Sequence, residues 1–439
     1  MTTVSPARRR TVLAALRRGT VPESGLDLFA VGLDRFVGTF DEELTNCAGG
    51  AAEFKAVRGE YGSGKTFLAR WVAERAKSAG MAVAEVQISE TETPLHRLET
   101  VYRRLCERLT TATEPPSAFR TILDSWLYAL EEDVLVEGTV DSQDPEALGV
   151  AVDALLEQRL GDLARTTPGF AAGLRGYRRA LAGGDVTTAA GVAAWLSGQP
   201  HVAAAAKRIT GVKGDIDHFL ALGFLRGLLT VLHDAGHPGL LLVLDEVETL
   251  QRVRSDARAK ALNALRQLLD DIDGGRFPGL YLMITGTPAF FDGRQGMQLL
   301  PPLADRMRAD FTGDQKFDNP RAPQIRLAGF TSDRLLLLGR NVRDLYADGS
   351  PAKARIVELV DDDYLEVLAD AVAGRLGGKV GVAPRLFLRN LVDVLDRVDE
   401  HDKFDPRRDY TLTVENAELT AAEREAAAVT PDDIDLDVR

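Results

Sequence analysis

The sequence predicts an α/β fold in which a three-layer core with a parallel sheet carries a large helical insertion and a C-terminal helical lid. Apolar runs of strand length alternate with helical periodicity, which indicates βαβ units and therefore parallel strands. Helical periodicity also fills nearly the whole stretch from 95 to 235, whereas one βαβ unit needs only about 30 residues. It returns beyond residue 330, where the lid is predicted.

The core strands follow from the pattern of apolar residues. A short amphipathic helix ends near Gly19, and after an irregular stretch a second helix leads into a strand at 54–58. The next strand, at 81–89, alternates apolar residues with residues of the other face. Continuous apolar runs at 240–244 and 280–285 are typical of strands buried on both faces.

These elements divide the 439 residues into segments, and the lid contains helices predicted at 364–375 and 384–397. The segments are an N-terminal helical segment (1–50), an α/β core (51–94 and 236–325), a mostly helical insertion (95–235), a helical lid (326–400) and an acidic tail (401–439).

Composition excludes several classes of protein. The net charge of −13 opposes non-specific attraction to a nucleic-acid backbone, so any such contact must be local. A basic cluster between Arg8 and Arg18 is more typical of a solvated helix face. Cys47 and Cys106 cannot build a disulfide framework, and no run of about 18 apolar residues occurs. We therefore expect a cytoplasmic protein without a membrane partner.

The segment GEYGSGKT, residues 59–66, matches the pattern G-x-x-x-x-G-K-[ST] in full. A strand precedes it and a helix follows, so backbone N–H groups and the helix N-terminus can hold phosphates. Lys65 would reach the β- and γ-phosphates, and the Thr66 hydroxyl would coordinate Mg²⁺. ATP is favoured over GTP because the guanine-reading motif N-K-x-D is absent. The predicted nucleotide-binding residues are Gly59, Glu60, Tyr61, Gly62, Ser63, Gly64, Lys65, Thr66 and Phe67.

A second phosphate-site element ends the strand at 240–244. A carboxylate at the end of a strand beside the loop strand can hold Mg²⁺ through water, and the next residue can polarise the attacking water. Asp245 is therefore the predicted metal-side residue and Glu246 the predicted catalytic base. An isolated Asp-Glu pair is more often a solvated turn or helix cap, but the phosphate-binding loop favours the functional interpretation.

Three further residues are candidates for catalysis. Thr285 ends the strand at 280–285, where a polar side chain could orient the attacking water or sense the γ-phosphate, although threonine favours strands in any case. Arg306 and Arg385 could supply a guanidinium to the charge that develops in phosphoryl transfer. An ordinary surface salt bridge is the alternative for each arginine.

Together these motifs resemble those of AAA+ ATPases along residues 20–400, especially the origin-recognition and helicase-loader-like branch. The resemblance implies a homo-oligomer in which Arg306 is an arginine finger that reaches a neighbour's site, although spacing alone does not separate it from Arg308. It also implies that Arg385, in Gly381-Val-Ala-Pro-Arg, is a lid arginine that reports on the γ-phosphate. Only about 40 residues, with an acidic composition, follow the lid, so DNA contact is not expected through a C-terminal winged helix.

More narrowly, the pieces VPESGLDLFAVG, VRGEYGSGKTFLARW and ITGTPAFFDGRQG resemble BREX-associated ATP-binding proteins of the BrxD type. That resemblance implies a role in bacterial anti-phage defence, with other defence proteins as partners. The leading hypothesis is an ATPase that couples hydrolysis to conformational change on DNA or a protein partner.

Two alternatives stay open. The helical insertion is a natural docking surface, which suits a slow nucleotide switch that recruits a helicase or another defence component without appreciable turnover alone. A P-loop kinase acting on a small molecule would use the same loop, but the arginine positions and the lid weaken that hypothesis.

Overall fold

A wholly parallel five-stranded sheet lies at the centre of the molecule. The computed structural model describes residues 4–138, 140–141, 143–211, 214–375, 384–412 and 419. The strands are β1 (Glu53–Arg58), β2 (Ala82–Gln87), β3 (Leu240–Asp245), β4 (Leu280–Gly286) and β5 (Gln324–Arg326), in the spatial order β2-β3-β4-β1-β5. The register places Val57 opposite Thr285 and Gln87 opposite Asp245, so the loops after β1, β3 and β4 meet at one edge.

Helices cover both faces of this sheet, as expected for strands buried on both sides. The helices before β2 are α1 (Pro6–Arg17), α2 (Asp34–Ala48) and α3 (Lys65–Ser78). Between β2 and β3 lie α4 (Leu98–Arg108), α5 (Phe119–Val136), α6 (Pro145–Arg159), α7 (Gly161–Thr166), α8 (Pro168–Ala182), α9 (Val186–Leu196), α10 (Ala204–Thr210) and α11 (His218–Asp234). After β3 come α12 (Ser255–Asp273), α13 (Pro288–Asp292) and α14 (Pro301–Arg306). The C-terminal helices are α15 (Ser332–Ala347), α16 (Lys353–Leu359), α17 (Asp362–Arg375), α18 (Pro384–Glu400) and α19 (Pro406–Asp409).

The two faces of the sheet lie in two different hydrophobic cores because successive strand residues point in opposite directions. Leu242 and Leu282 face a core that also contains α12 and the helices between β2 and β3. Leu241 and Met283 face the second core, which contains α1, α2, α3 and the C-terminal helices. The predicted α/β class, with a parallel sheet, a helical insertion and C-terminal helices, is confirmed.

The helical insertion is continuous with the sheet layer. Helix α4 contacts β2, and Thr110 pairs with Val83 in an isolated antiparallel bridge. Farther out, the fully buried Phe224 makes edge-to-face contacts with Phe170 and Trp195, with centroids 5.1 and 5.2 Å apart. The first part of the stretch predicted as an insertion thus packs as a core element.

The C-terminal helices and the N-terminus pack on each other. Helix α1 lies against α18, and the Arg17 guanidinium donates to both carboxylate oxygens of Asp396 at 2.6 Å. Within the predicted acidic tail (401–439), Arg407 donates to the Leu359 carbonyl at 2.8 Å and so joins α19 to the lid. The rest of that tail, 413–418 and 420–439, lies outside the described residues. In the part of the chain that the structure describes, no helix is long and apolar enough to cross a membrane.

Candidate nucleotide-binding site

The loop from Gly59 to Thr66 joins β1 to α3, and its backbone conformation depends on glycine. Gly62 and Gly64 have φ angles of 78° and 93°, in the left-handed region that other residues enter only with strain. Gly64 is the N-cap of α3, so the first helical residue is Lys65. The buried Lys65 ammonium donates to the Gly59 carbonyl at 2.8 Å and the Glu60 carbonyl at 3.2 Å.

Asp245, the last residue of β3, faces this loop. Its Oδ2 accepts a hydrogen bond from the Thr66 hydroxyl at 3.1 Å, and its Oδ1 accepts from the Glu246 N–H at 3.1 Å and from the Thr285 hydroxyl. Both carboxylate oxygens are therefore fixed. Thr285, predicted to orient the attacking water or to sense the γ-phosphate, has a wholly buried side chain that donates to Asp245.

Magnesium fits this pair of groups. Mg²⁺ prefers oxygen ligands and keeps several of its waters, so it is bound by one or two protein groups together with phosphates. The Thr66 hydroxyl and the Asp245 carboxylate supply such oxygens 3.1 Å apart. Within the described ranges, no cluster of three or more His, Cys, Asp or Glu side chains could hold a metal by itself.

Glu246 sits in an unusual conformation beside Asp245. Its φ angle of 61° is in the left-handed region, which is uncommon for a non-glycine residue and recurs at functional sites. Its carboxylate oxygen Oε2 accepts a hydrogen bond of 2.9 Å from the Gln87 side-chain amide at the end of β2. Sequence reasoning did not identify Gln87, whose only signal is its position at the end of the strand that neighbours β3.

A second acidic residue, Glu248, also lines the site and was not predicted. It lies on the 3₁₀ turn Val247–Gln251, is only 5% exposed, and has no hydrogen-bond partner among the described residues for either carboxylate oxygen. Burial raises the pKa of Glu248 and lowers the pKa of Lys65. The negative charge that most opposes the lowering of the Lys65 pKa is that of Glu248. Its signal in the sequence is an acidic residue three positions after Asp245.

These residues open on a cavity of about 580 Å³, within the range of small-molecule sites. Seven of the nine predicted nucleotide-binding residues, Tyr61 through Phe67, line it, while Gly59 and Glu60 contact Lys65 through their carbonyls. The other walls come from the N-terminal segment and the lid. The apolar lining residues of these walls include Val21, Pro22, Phe29, Val31, Phe330, Leu338 and Leu388.

The two predicted arginines are placed differently. Arg385, in the first turn of α18, lines the cavity, whereas residues 381–383 of its motif lie outside the described residues. Arg306 is not part of the lining and instead pairs with Asp270 and Asp273 on α12. Three arginines that the sequence did not single out, Arg35, Arg252 and Arg334, also line the cavity.

Comparisons with known proteins agree with the motif analysis. The family described as "BREX system ATP-binding protein BrxC/D" matches residues 4–414, which confirms the resemblance inferred from the sequence. A solved structure titled "Structure of the Aeropyrum Pernix ORC2 protein (ADPNP-ADP complexes)" is similar at 12% identity and a TM-score of 0.39. That similarity covers 88% of this chain and 74% of the other. A comparison with curated proteins finds no match.

Proposed function

The chain belongs to the BREX system ATP-binding protein BrxC/D family, and from this premise we propose that it hydrolyses ATP at the site between the phosphate-binding loop and the end of β3. One observation carries the proposal. Lys65, Thr66, Asp245 and Glu246 converge on one cavity at the edge of the sheet. A protein that only held a nucleotide would need the first three but not a glutamate placed after the metal-side carboxylate.

Nucleotide binding would use both halves of the cavity. The loop N–H groups and the N-terminus of α3 would surround the phosphates, and Lys65 would exchange its carbonyl partners for phosphate oxygens. The apolar walls from the N-terminal segment and the lid suit a flat base, since ligand pockets are mostly apolar with a few fixed polar groups. Arg385 and Arg334 also line the cavity, where their guanidinium groups would interact with the negative charge of the triphosphate.

Hydrolysis would then depend on Thr66, Asp245 and Glu246. Thr66 and Asp245 would hold Mg²⁺, which would neutralise charge on the phosphates. As the water oxygen bonds the γ-phosphorus, the bond to the β–γ bridging oxygen breaks, and Glu246 accepts the water proton. Thr285 would contribute indirectly by fixing Asp245. The hydrogen bond from Gln87 to Oε2 would restrain the Glu246 side chain until it turns towards the water.

The oligomer and the partners are part of the same proposal. We place Arg306 as the guanidinium that one subunit gives to its neighbour's site, in a homo-oligomer that works in the cytoplasm. Freeing it would break its ion pairs with Asp270 and Asp273, and the exposed pair with Asp273 contributes at most about 1 kcal/mol. The conformational change that accompanies hydrolysis would act on other defence proteins or on DNA.

A second function, the slow nucleotide switch, has its own observation. Because the Glu246 carboxylate is bonded to Gln87, the isolated chain holds its base away from a water until something releases it. In that case the protein would bind ATP and report its state to a partner, and hydrolysis would start only on assembly.

The fate of the γ-phosphate tests the proposal. The experiment would measure ATP binding by calorimetry and follow ³²P-labelled γ-phosphate in wild type, Lys65→Ala and Glu246→Gln, with Glu23→Gln as an exposed control outside the cavity lining. We expect inorganic phosphate from wild type and Glu23→Gln only, with ATP binding kept in Glu246→Gln. Binding without phosphate release would select the switch, and label on an acceptor other than water would refute both functions.

A further inference from the structure

We propose that Glu248 makes the site discriminate against the third phosphate, so that its buried carboxylate weakens ATP binding more than ADP binding. This inference rests on the proposed nucleotide site and assigns to it a determinant of specificity. It concerns a residue that neither holds the metal nor activates the water.

The geometry of Glu248 calls for a role of this kind. The side chain is 5% exposed, lines the cavity beside Lys65, and finds no hydrogen-bond partner for either oxygen in the described part of the chain. Removing a carboxylate from water without a partner is costly, and native proteins keep such groups mainly at functional positions.

Glu248 and Lys65 line the same cavity. Burial raises the pKa of Glu248 and lowers the pKa of Lys65, and of the nearby charges each is the one that most opposes the shift of the other. The lysine of this loop type reaches the β- and γ-phosphates. A nucleotide whose phosphates bind Lys65 therefore has its last phosphates close to Glu248. These phosphates also pair with the Lys65 ammonium, whose positive charge otherwise compensates the Glu248 carboxylate.

The effect falls unequally on the two nucleotides. The γ-phosphate of ATP adds negative charge at the end of the chain near Lys65, whereas ADP has none there. Like charges repel more strongly at a partly buried site than in water. Two other acids near the loop are less suited to this role, because Glu60 is exposed and Glu246 is bonded to Gln87.

The test compares affinities for ADP and a non-hydrolysable ATP analogue in wild type, Glu248→Gln, Glu248→Asp and Glu23→Gln, each with Mg²⁺. Glu248→Gln keeps the shape and removes the charge, so we expect the analogue to bind about tenfold more tightly and ADP no more than about threefold more tightly. Glu248→Asp keeps the charge and should preserve the wild-type ratio. Glu23→Gln, an exposed position outside the cavity lining, should change both affinities by less than about twofold, because solvent screens it.

A second measurement separates the charge effect from a structural one. Without nucleotide, Glu248→Gln should unfold at a higher temperature than wild type, because it removes a buried charge without a bonded partner. An unchanged ratio of analogue to ADP affinity in Glu248→Gln, or weaker binding of both nucleotides with a lower unfolding temperature, would overturn the inference. Absence of nucleotide binding in wild type would instead refute the proposed function on which it rests.

Discussion

Releasing Glu246 from Gln87 should raise the basal rate of ATP hydrolysis. The amide of Gln87 donates to Oε2 of the carboxylate at 2.9 Å, and we expect this bond to hold the side chain away from the attacking water. Hydrogen bonds to charged groups contribute about 1.5–3 kcal/mol, and this one is exposed, so we take about 1 kcal/mol. That free energy corresponds to an increase of about fivefold in the population with a free Glu246, and so in turnover.

The assay is steady-state phosphate release at saturating ATP by wild type, Gln87→Ala and Gln251→Ala. Gln251 is a matched control because its amide donates at 2.8 Å to the Ala289 carbonyl, close to the site but away from Glu246. We expect faster release in Gln87→Ala and no change in Gln251→Ala. If Gln87→Ala were slower than wild type, Gln87 would be orienting Glu246 for catalysis, and the argument that it restrains the base would be wrong.

Four further expectations follow from the same contacts. Thr285→Val removes the hydroxyl that fixes the Asp245 carboxylate, so turnover should fall about tenfold with little change in unfolding temperature. A turnover rate equal to wild type would count against a role of Thr285 in positioning Asp245. Arg306→Ala should lower turnover at high protein concentration while ATP affinity stays constant. The Arg308 side chain is 78% exposed, and Arg308→Ala should behave as wild type. An equal loss of turnover in both variants would remove the basis for choosing Arg306 over Arg308. Burial raises the pKa of Glu248 above its ordinary 4.5, so the native chain retains a proton there that the unfolded chain loses. The contribution of Glu248 to stability is therefore present below pH 4.5 and is lost as pH rises through its pKa in the native chain. When unfolding temperature is measured against rising pH, it should fall less in Glu248→Gln than in wild type, and parallel curves would contradict this. Phe224→Ala should cost about 3–5 kcal/mol in denaturant unfolding, since the ring is fully buried in the insertion core; a loss below about 1 kcal/mol would show that this core tolerates the cavity.

Much of the fold could be predicted because its central elements are locally encoded. The apolar runs at 240–244 and 280–285 are strands because only a doubly covered sheet buries such residues on both faces. The loop at Gly59–Thr66 could be placed because its spacing of glycines, lysine and threonine has one physical use between a strand and a helix. Strand β5 was missed, since Gln324–Arg326 is too short to show a period.

The parts of the site that were missed depend on contacts between distant segments. Gln87 and Glu246 are 159 positions apart and meet only because β2 lies beside β3. The apolar wall around Phe29 comes from an irregular stretch without periodicity, so nothing local marks it as a pocket lining. Thr285 was placed at the correct strand end, but its hydroxyl points to a carboxylate and not to the cavity, which sequence position does not determine.

Lys65 and Glu246 are the two residues on which the proposed ATPase activity most depends. The most direct measurement is ATP turnover against protein concentration for wild type, Lys65→Ala and Glu246→Gln. We expect turnover that rises faster than linearly with concentration in wild type and is absent in both variants, as for a site completed by a neighbouring subunit. Turnover that persists in Glu246→Gln would contradict the assignment of the base, and turnover that persists in Lys65→Ala would place the activity outside this site.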